Sequence, residues 1–258
     1  MALVLKDPGT VLYEGGAGGQ AQAAVCMPLY NYGGYVASAL DSVAAQDLAD
    51  IELMVVDDCS TDDSAAVAEA WMRAHAGRFT RACLMRPKAN GGSCAARNLG
   101  VVHVRAPFVF MLDADNLLYP RCLRRHLEAI SDGDASVAYG IIERFGEDPK
   151  LLGPALMGHE AWRAERFVHG NFVDNMAILR REHLLAVGGW AESMFSWEDF
   201  DLYCTLVDHD FHGIQVPEIL SRYRVHGVSQ YHVVQNTEGT RTVLLEEIMR
   251  RHPWLKLV

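Results

Sequence analysis

Through the first half of the chain, short apolar runs alternate with stretches in which apolar residues recur every three or four positions. Ala23–Pro28, Ile51–Val56, Ala82–Met85 and Phe108–Leu112 are continuous apolar runs. That is the pattern of strands covered on both faces. Between them, Tyr35–Ala45 places Val36, Ala39, Leu40 and Val43 at helical spacing. Ser64–His75 reads as a helix whose start is capped from Ser60, Thr61 and Asp62, and Gly91–Val102 as another. Pro120–Ile130 reads as a helix with proline near its first turn. Strands alternating with helices, each pair taking roughly 30 residues, predict an α/β fold with a mostly parallel, Rossmann-like sheet flanked by helices. Such sheets bind ligands at the carboxyl ends of their strands.

The second half is less regular. Ser136–Ile142 and Phe172–Leu179 predict strands, Phe200–Val207 a helix, Ile214–Val216 and Ile219–Val225 two further strands, and Thr237–Arg251 a final amphipathic helix. Arg144–Val168 is a long irregular connection, of the kind that often forms lids or binding loops. Residues 1–21 are expected to be a loose lead-in. Their Gly15–Gly16–Ala17–Gly18–Gly19 run lacks G-x-G-x-x-G spacing and follows no expected strand, so it is no dinucleotide fingerprint. No repeat or linker divides the chain, which predicts one domain.

Charge narrows the function. The 258 residues carry a formal net charge of −10, which disfavours a general nucleic-acid binder and a polybasic membrane anchor. An anionic ligand would need a local device, such as a metal ion or a helix N-terminus. No apolar run approaches a membrane span. The apolar start is broken by Lys6, Asp7 and Pro8, so no signal peptide is expected. The expected location is the cytoplasm, with peripheral attachment to a membrane as the alternative. The six cysteines form no C-x-x-C pair and are expected to be free, buried thiols rather than a zinc site.

Four polar clusters follow the expected strands or open a helix. Asp57 and Asp58 end the Ile51–Val56 run, where a carboxylate can accept a hydrogen bond from a nucleobase N–H. Asp113 and Asp115 follow the most hydrophobic run, and two carboxylates so placed can hold a hard divalent cation that neutralises a diphosphate. Glu198 and Asp199 lie between Trp197 and Phe200 at a helix start. Helix-terminal charge explains them, and so does a general base in a partly apolar pocket. His226 ends an apparent strand and can offer a neutral imidazole to a metal such as Mn²⁺.

Together these segments resemble the inverting nucleotide-sugar glycosyltransferases of family 2, whose fold is called GT-A. The resemblance runs from about Ala23 to Ser229. Pro28–Leu29–Tyr30–Asn31 is similar to the family's P-x-Y-N, and Val55 to Asp62 to its V-D-D-x-S-x-D. Asn90–Gly91–Gly92 with Ala96–Arg97–Asn98–Leu99–Gly100 follows its N-x-G-x-x-x-A-R-N-x-G helix. Asp113–Ala114–Asp115 is similar to its D-x-D, Glu198–Asp199 to its late E-D motif, and Arg224–Val225–His226 with Ser229 to its R-x-H-x-x-S.

The resemblance implies a nucleotide-binding half at about 22–130, an acceptor-binding half at about 131–236 and a C-terminal helix at 237–258. Asp57 or Asp58 would meet the base, uracil being expected, with Pro28, Tyr30 and Asn31 in the same pocket. Arg97 would approach the sugar or diphosphate, and Asp113 and Ala114 the ribose or sugar. Asp115 would bind Mn²⁺ or Mg²⁺, with His226 a further metal or diphosphate contact. Asp199 would deprotonate the acceptor, a carbohydrate or other hydroxyl compound, with Glu198 alongside. A nucleotidyltransferase is the nearest rival, but Pro28 to Gly34 lacks the basic residues a triphosphate loop needs. A non-catalytic sugar-nucleotide binder is the rival from another class, and a dehydrogenase is the weakest.

Overall fold

The computed structural model describes residues 3–146, 154–194, 196–226 and 239–257. Its first half is the expected alternation: β1 (Thr10–Gly15), β2 (Ala23–Leu29), α1 (Gly33–Ala44), β3 (Ile51–Asp57), α2 (Ser64–His75), β4 (Arg81–Arg86), α3 (Gly92–His103) and β5 (Phe108–Met111). The second half adds β6 (Leu117–Leu118), α4 (Cys122–Ser131), β7 (Val137–Phe145), β8 (Leu156–Met157), β9 (Ala177–Arg180), α5 (Arg181–Ala186), α6 (Glu198–Asp208), β10 (Gly213–Arg224) and α7 (Thr240–Arg251). The strand order is β1-β4-β3-β2-β5-β9-β7-β10-β6, with β8 paired to β7.

Strands β2 to β5 are parallel, and every residue of β3 is buried. Alternate side chains divide between two layers. Val25, Met27, Leu53 and Val55 pack with apolar residues of α1, α2 and α4. Ala24, Cys26, Met54 and Val56 pack with those of α3, α5, α6 and α7. Helix α3 lies so close to β2 that a Cβ on Gly100 would be 2.3 Å from Cys26 Sγ. Gly100→Ala should therefore cost about 1–3 kcal/mol through overpacking. The urea midpoint reads this directly, and an unchanged midpoint would contradict so close a contact.

Several elements differ from the sequence reading. The supposed lead-in contains β1, which pairs antiparallel with β4. Its residues are all exposed or half-buried, and its apolar run, Val11 to Tyr13, is too short to predict a strand. It also puts a strand ahead of the glycine run, leaving spacing as the argument against a dinucleotide fingerprint. The two strands expected around Pro217 are one strand, β10. Its register against β7 shifts between Val216 and Ile219 and again between Ile219 and Ser221, which accommodates a residue without an N–H. Strand β9 begins five residues later than expected, at Ala177. Asp63, not an earlier residue, is the N-cap of α2, although Asp62 Oδ1 does accept the Ser64 N–H at 2.9 Å. Ser60 and Thr61 instead bond Asn31. Pro120 lies just ahead of α4, which starts at Cys122. The expected helix start at Thr237 and the motif residue Ser229 lie outside the described residues.

Strand direction decides where the chemistry gathers. Strand β9 runs antiparallel to both β5 and β7, and β10 runs parallel to β7. The loop ahead of β9 therefore reaches the same edge as the loops that follow β2 to β5, β7 and β10. The opposite edge holds two adjoining clefts of about 390 Å³, sharing Gln20, Arg105 and Pro107. Arg180 and Arg181 line the first and point their guanidinium groups at backbone carbonyls of Ile130, Gly133, Val101 and Val102. None of the clustered acids singled out in the sequence lines either cleft.

Candidate active site

At the edge where these loops gather, Asn31 ties the end of β2 to the loop after β3. Its backbone N–H donates to Ser60 Oγ at 3.0 Å, and its Oδ1 accepts the Thr61 N–H at 2.8 Å. It does so in the left-handed region, at φ 58°, which asparagine tolerates better than most residues. Pro28 is half-buried in β2 and Tyr30 is exposed.

The two acids at the end of β3 divide their tasks. Asp57 is fully buried, and its Oδ2 accepts from Arg86 Nε at 2.6 Å. Asp58 faces the start of α3, where Oδ1 accepts the Gly91 N–H at 2.9 Å and Oδ2 the Gly92 N–H at 2.7 Å. Burial pushes its carboxyl above the usual range against these two N–H groups.

Arg97 projects from α3 and joins the two halves of the chain. Its Nη2 bonds Asp113 Oδ1 at 2.9 Å and its Nη1 bonds Glu198 Oε1 at 2.7 Å. Burial opposes its charge, but Asp113 and Glu198 outweigh that and raise its pKa further. Asp113 keeps about a third of its side chain exposed (31%), whereas Arg97 keeps 4%. Ala114 between the two acids is buried.

Asp115 turns the other way. Its Oδ2 lies 2.9 Å from His226 Nε2, and the His226 ring stacks on Tyr35 and meets Tyr32 edge-on. Arg224 Nε donates to the Asp115 carbonyl at 2.8 Å. Burial raises the Asp115 pKa, the Asp113 charge adds to that, and His226 counters it. These residues fit a divalent cation in part. A spacing of 2.9 Å suits adjacent ligands on one ion with bonds of about 2.1 Å, and an imidazole–carboxylate pair suits Mn²⁺. Among the described residues no group of three or more His, Cys, Asp or Glu side chains could hold a metal.

Helix α6 starts at Glu198, after Trp197 in a left-handed conformation at φ 59°. Glu198 is committed to Arg97. Asp199 has no such cation among the described residues: its Oδ2 accepts from Asn171 Nδ2 at 2.9 Å and its Oδ1 from the Phe200 N–H at 2.7 Å. Burial, then the charges of Glu198 and Asp174, raise its pKa well above the carboxylate range. One residue further along, Phe200 packs into the core, and Asp201 anchors the C-terminal segment through Arg251 and His252.

The structure thus brings ten of the twelve expected residues into polar, buried or ring contacts along one edge, with Pro28 and Tyr30 at its rim. Sequence reading missed Arg86, Tyr32, Tyr35, Asn171 and Asp174. Arg86 had a signal, being the basic residue that ends the apolar run of β4. Asn171 had none, and Asp174 was hidden inside an expected strand. Five cysteines are buried and Cys59 is half-buried, all six free, as expected.

The sequence model of the family described as Glycosyl transferase family 2 matches residues 24–188. The succinoglycan biosynthesis protein ExoU of Rhizobium meliloti (strain 1021) is 32% identical over 183 residues, 65% of this chain and 52% of that protein. The glycosyltransferase GlyG of Streptococcus pneumoniae serotype 4 is 25% identical over 123 residues, 48% of this chain and 40% of that protein. The chain spans about half the length, or less, of these two relatives. Among solved structures, S. aureus TarS 1-349 in complex with UDP-GlcNAc superposes with a TM-score of 0.68 at 17% identity, covering 92% of this chain and 68% of that one. The mannosyltransferase PcManGT of Pyrobaculum calidifontis, in complex with GDP-Man and Mn²⁺, gives 0.67 at 20% identity, covering 97% and 67%. At such identities the likeness speaks for the fold, which is that of GT-A glycosyltransferases. With well over half of its residues inside the family match, the chain belongs to glycosyl transferase family 2.

Proposed function

We propose that this chain transfers a sugar from a nucleoside-diphosphate sugar, with UDP-sugar as the donor, to an acceptor hydroxyl with inversion at the anomeric carbon. The observation that carries this reading is the Asp113–Arg97–Glu198 bridge. It sets the strand-end acids of the first half against Asp199, an acid of the second half without a salt-bridge partner among the described residues. Relatives named as glycosyltransferases and neighbours solved with UDP-GlcNAc or GDP-Man support a nucleotide-sugar donor.

On this reading residues 22–130 carry the donor and 131–236 the acceptor. Asp57, held by Arg86, accepts the uracil N–H, while Asp58 shapes the pocket by capping α3. Pro28 and Tyr30 flank the base, and Asn31 fixes their loop. Asp113 and the Ala114 backbone face the ribose or sugar. Asp115 and His226 would hold Mn²⁺ or Mg²⁺ beside the diphosphate. Such an ion, when bound, neutralises charge on the leaving diphosphate. The acceptor oxygen bonds to the anomeric carbon as the bond to the diphosphate oxygen breaks. The bonding pair leaves with the diphosphate, and the hydroxyl proton passes to Asp199. One displacement suffices, with no covalent intermediate on the protein. No helix among the described residues is long and apolar enough to cross a membrane.

Calorimetry with UDP tests the donor side. Binding should be at least about tenfold tighter with Mn²⁺ than with chelator, and Asp115→Ala should reproduce the chelator result while remaining folded. Equal affinity in both conditions would sink the metal assignment, and tighter binding of GDP would sink the choice of uracil.

A further inference from the structure

The loop ahead of β9 is fastened to α6 at two points. Asn171 Nδ2 donates to Asp199 Oδ2 at 2.9 Å, and Tyr203 Oη donates to the Asp174 carbonyl at 2.7 Å. Asp199 and Tyr203 are four residues apart and share one face of the helix. The two bonds therefore lay residues 171–174 along the face that carries Asp199. Within that loop Asp174 Oδ1 accepts the Met176 N–H at 2.9 Å, which fixes the direction of its carboxylate. No salt bridge reaches Asp174 or Asp199 among the described residues, because the nearby cation, Arg97, is held by Asp113 and Glu198.

We propose that Asp174 and Asp199 work as a coupled carboxylate pair, with Asp174 a positioning residue whose negative charge strengthens Asp199 as the base. This role rests on Asp199 being the base. The groups around the pair are named by the electrostatics. Asp199 faces Glu198, Asp174 and Arg97, and it lies within reach of Tyr203 and Cys204. Asp174 faces Asp113, Arg97 and Glu198, with Tyr223 of β10 and Tyr203 nearby. Two acids and one already paired arginine surround each carboxyl, so the acidic charges add rather than cancel. Burial pushes Asp174 up to about 6, and the Asp174 charge is among the causes that raise Asp199. Two acids in this relation lose their protons in steps that belong to the pair. A base raised above the ordinary carboxylate range is the stronger proton acceptor when ionised.

The test is a carboxyl ¹³C NMR titration of the full chain, free of donor, with labelled aspartate. In Asp174→Asn the Asp199 midpoint should fall by about one pH unit. Asp174→Ser keeps an oxygen for the Met176 N–H and should behave alike. In the parent protein the Asp199 resonance should also sense the Asp174 step, and this reading serves if neither Asp174 variant folds; Asp199→Asn, which removes only the Asp199 resonance, assigns the two steps. An unmoved midpoint in the folded variants would overturn the pair. Hydrolysis of UDP-glucose read against pH supplies the second readout: the acid limb should move to lower pH in Asp174→Asn, and a purely structural role would lower the rate without moving that limb. Because the titration needs no turnover, coupled midpoints together with full activity in Asp199→Asn would indict Asp199 as base and leave the coupling standing.

Discussion

Asp199→Asn should transfer sugar about 10²–10⁴ times more slowly than the parent protein while binding UDP with unchanged affinity. The amide keeps the shape of the side chain and can still take the Asn171 bond through its oxygen, but it cannot accept the proton of the acceptor. Glu198 does not replace it. Its carboxylate is already bonded to Arg97 at 2.7 Å, whereas Asp199 is half-buried beside other acids and makes no salt bridge among the described residues. Adjacent positions on a helix also point about 100° apart. Transfer measured under single-turnover conditions, with UDP calorimetry on the same sample, checks both halves of the expectation. Near-normal transfer, or UDP binding lost in proportion to activity, would show that the proton goes elsewhere.

The second large effect is on stability. Arg97→Met should cost about 3–5 kcal/mol, the usual result of removing one partner from a buried ionic group. The methionine fills similar space, but Asp113 and Glu198 then lose their common partner, and Glu198 is almost completely buried. Arg97→Lys should recover only part of the loss, since an ammonium cannot span two carboxylates in a fixed fork. Denaturant midpoints of the three proteins decide this. A loss below about 1 kcal/mol, the range of surface pairs, would mean that water or rearrangement replaces the bridge. Activity should fall with stability in Arg97→Met, because the guanidinium spans the donor-side and acceptor-side acids.

The parallel half of the sheet was legible because strands covered on both faces must be apolar throughout, and β3 is so at nearly every position. Asp113 and Asp115 stood out because acids at the end of so apolar a run have no packing reason to be there, whereas Asp199, at a helix start, was explained equally by helix-terminal charge. Choosing between Asp57 and Asp58 was beyond any local pattern. The difference lies in Gly91 and Gly92, more than thirty residues on, whose N–H groups take up the Asp58 oxygens. Tyr32 and Tyr35 read simply as a helix start, and only the return of β10 brings His226 against their rings. Asp174 was lost because Phe172–Leu179 looks like one strand. Its side chain takes the Met176 N–H, a local turn that competes with the ladder and delays the strand to Ala177.

Because strand direction sends all of this chemistry to one edge, the other edge offers a handle. Gly133, in the exposed turn after α4, has nothing within 4 Å of where a Cβ would stand, and its φ is not positive. A cysteine placed there would present a thiol to solvent, while five of the six native thiols are buried. Cys59 is the half-buried exception, and burial raises its pKa and slows its alkylation. A maleimide-bearing surface would then capture the protein through residue 133 and leave the carboxylate edge facing the solution, so that donor and acceptor reach an immobilised catalyst from the open side.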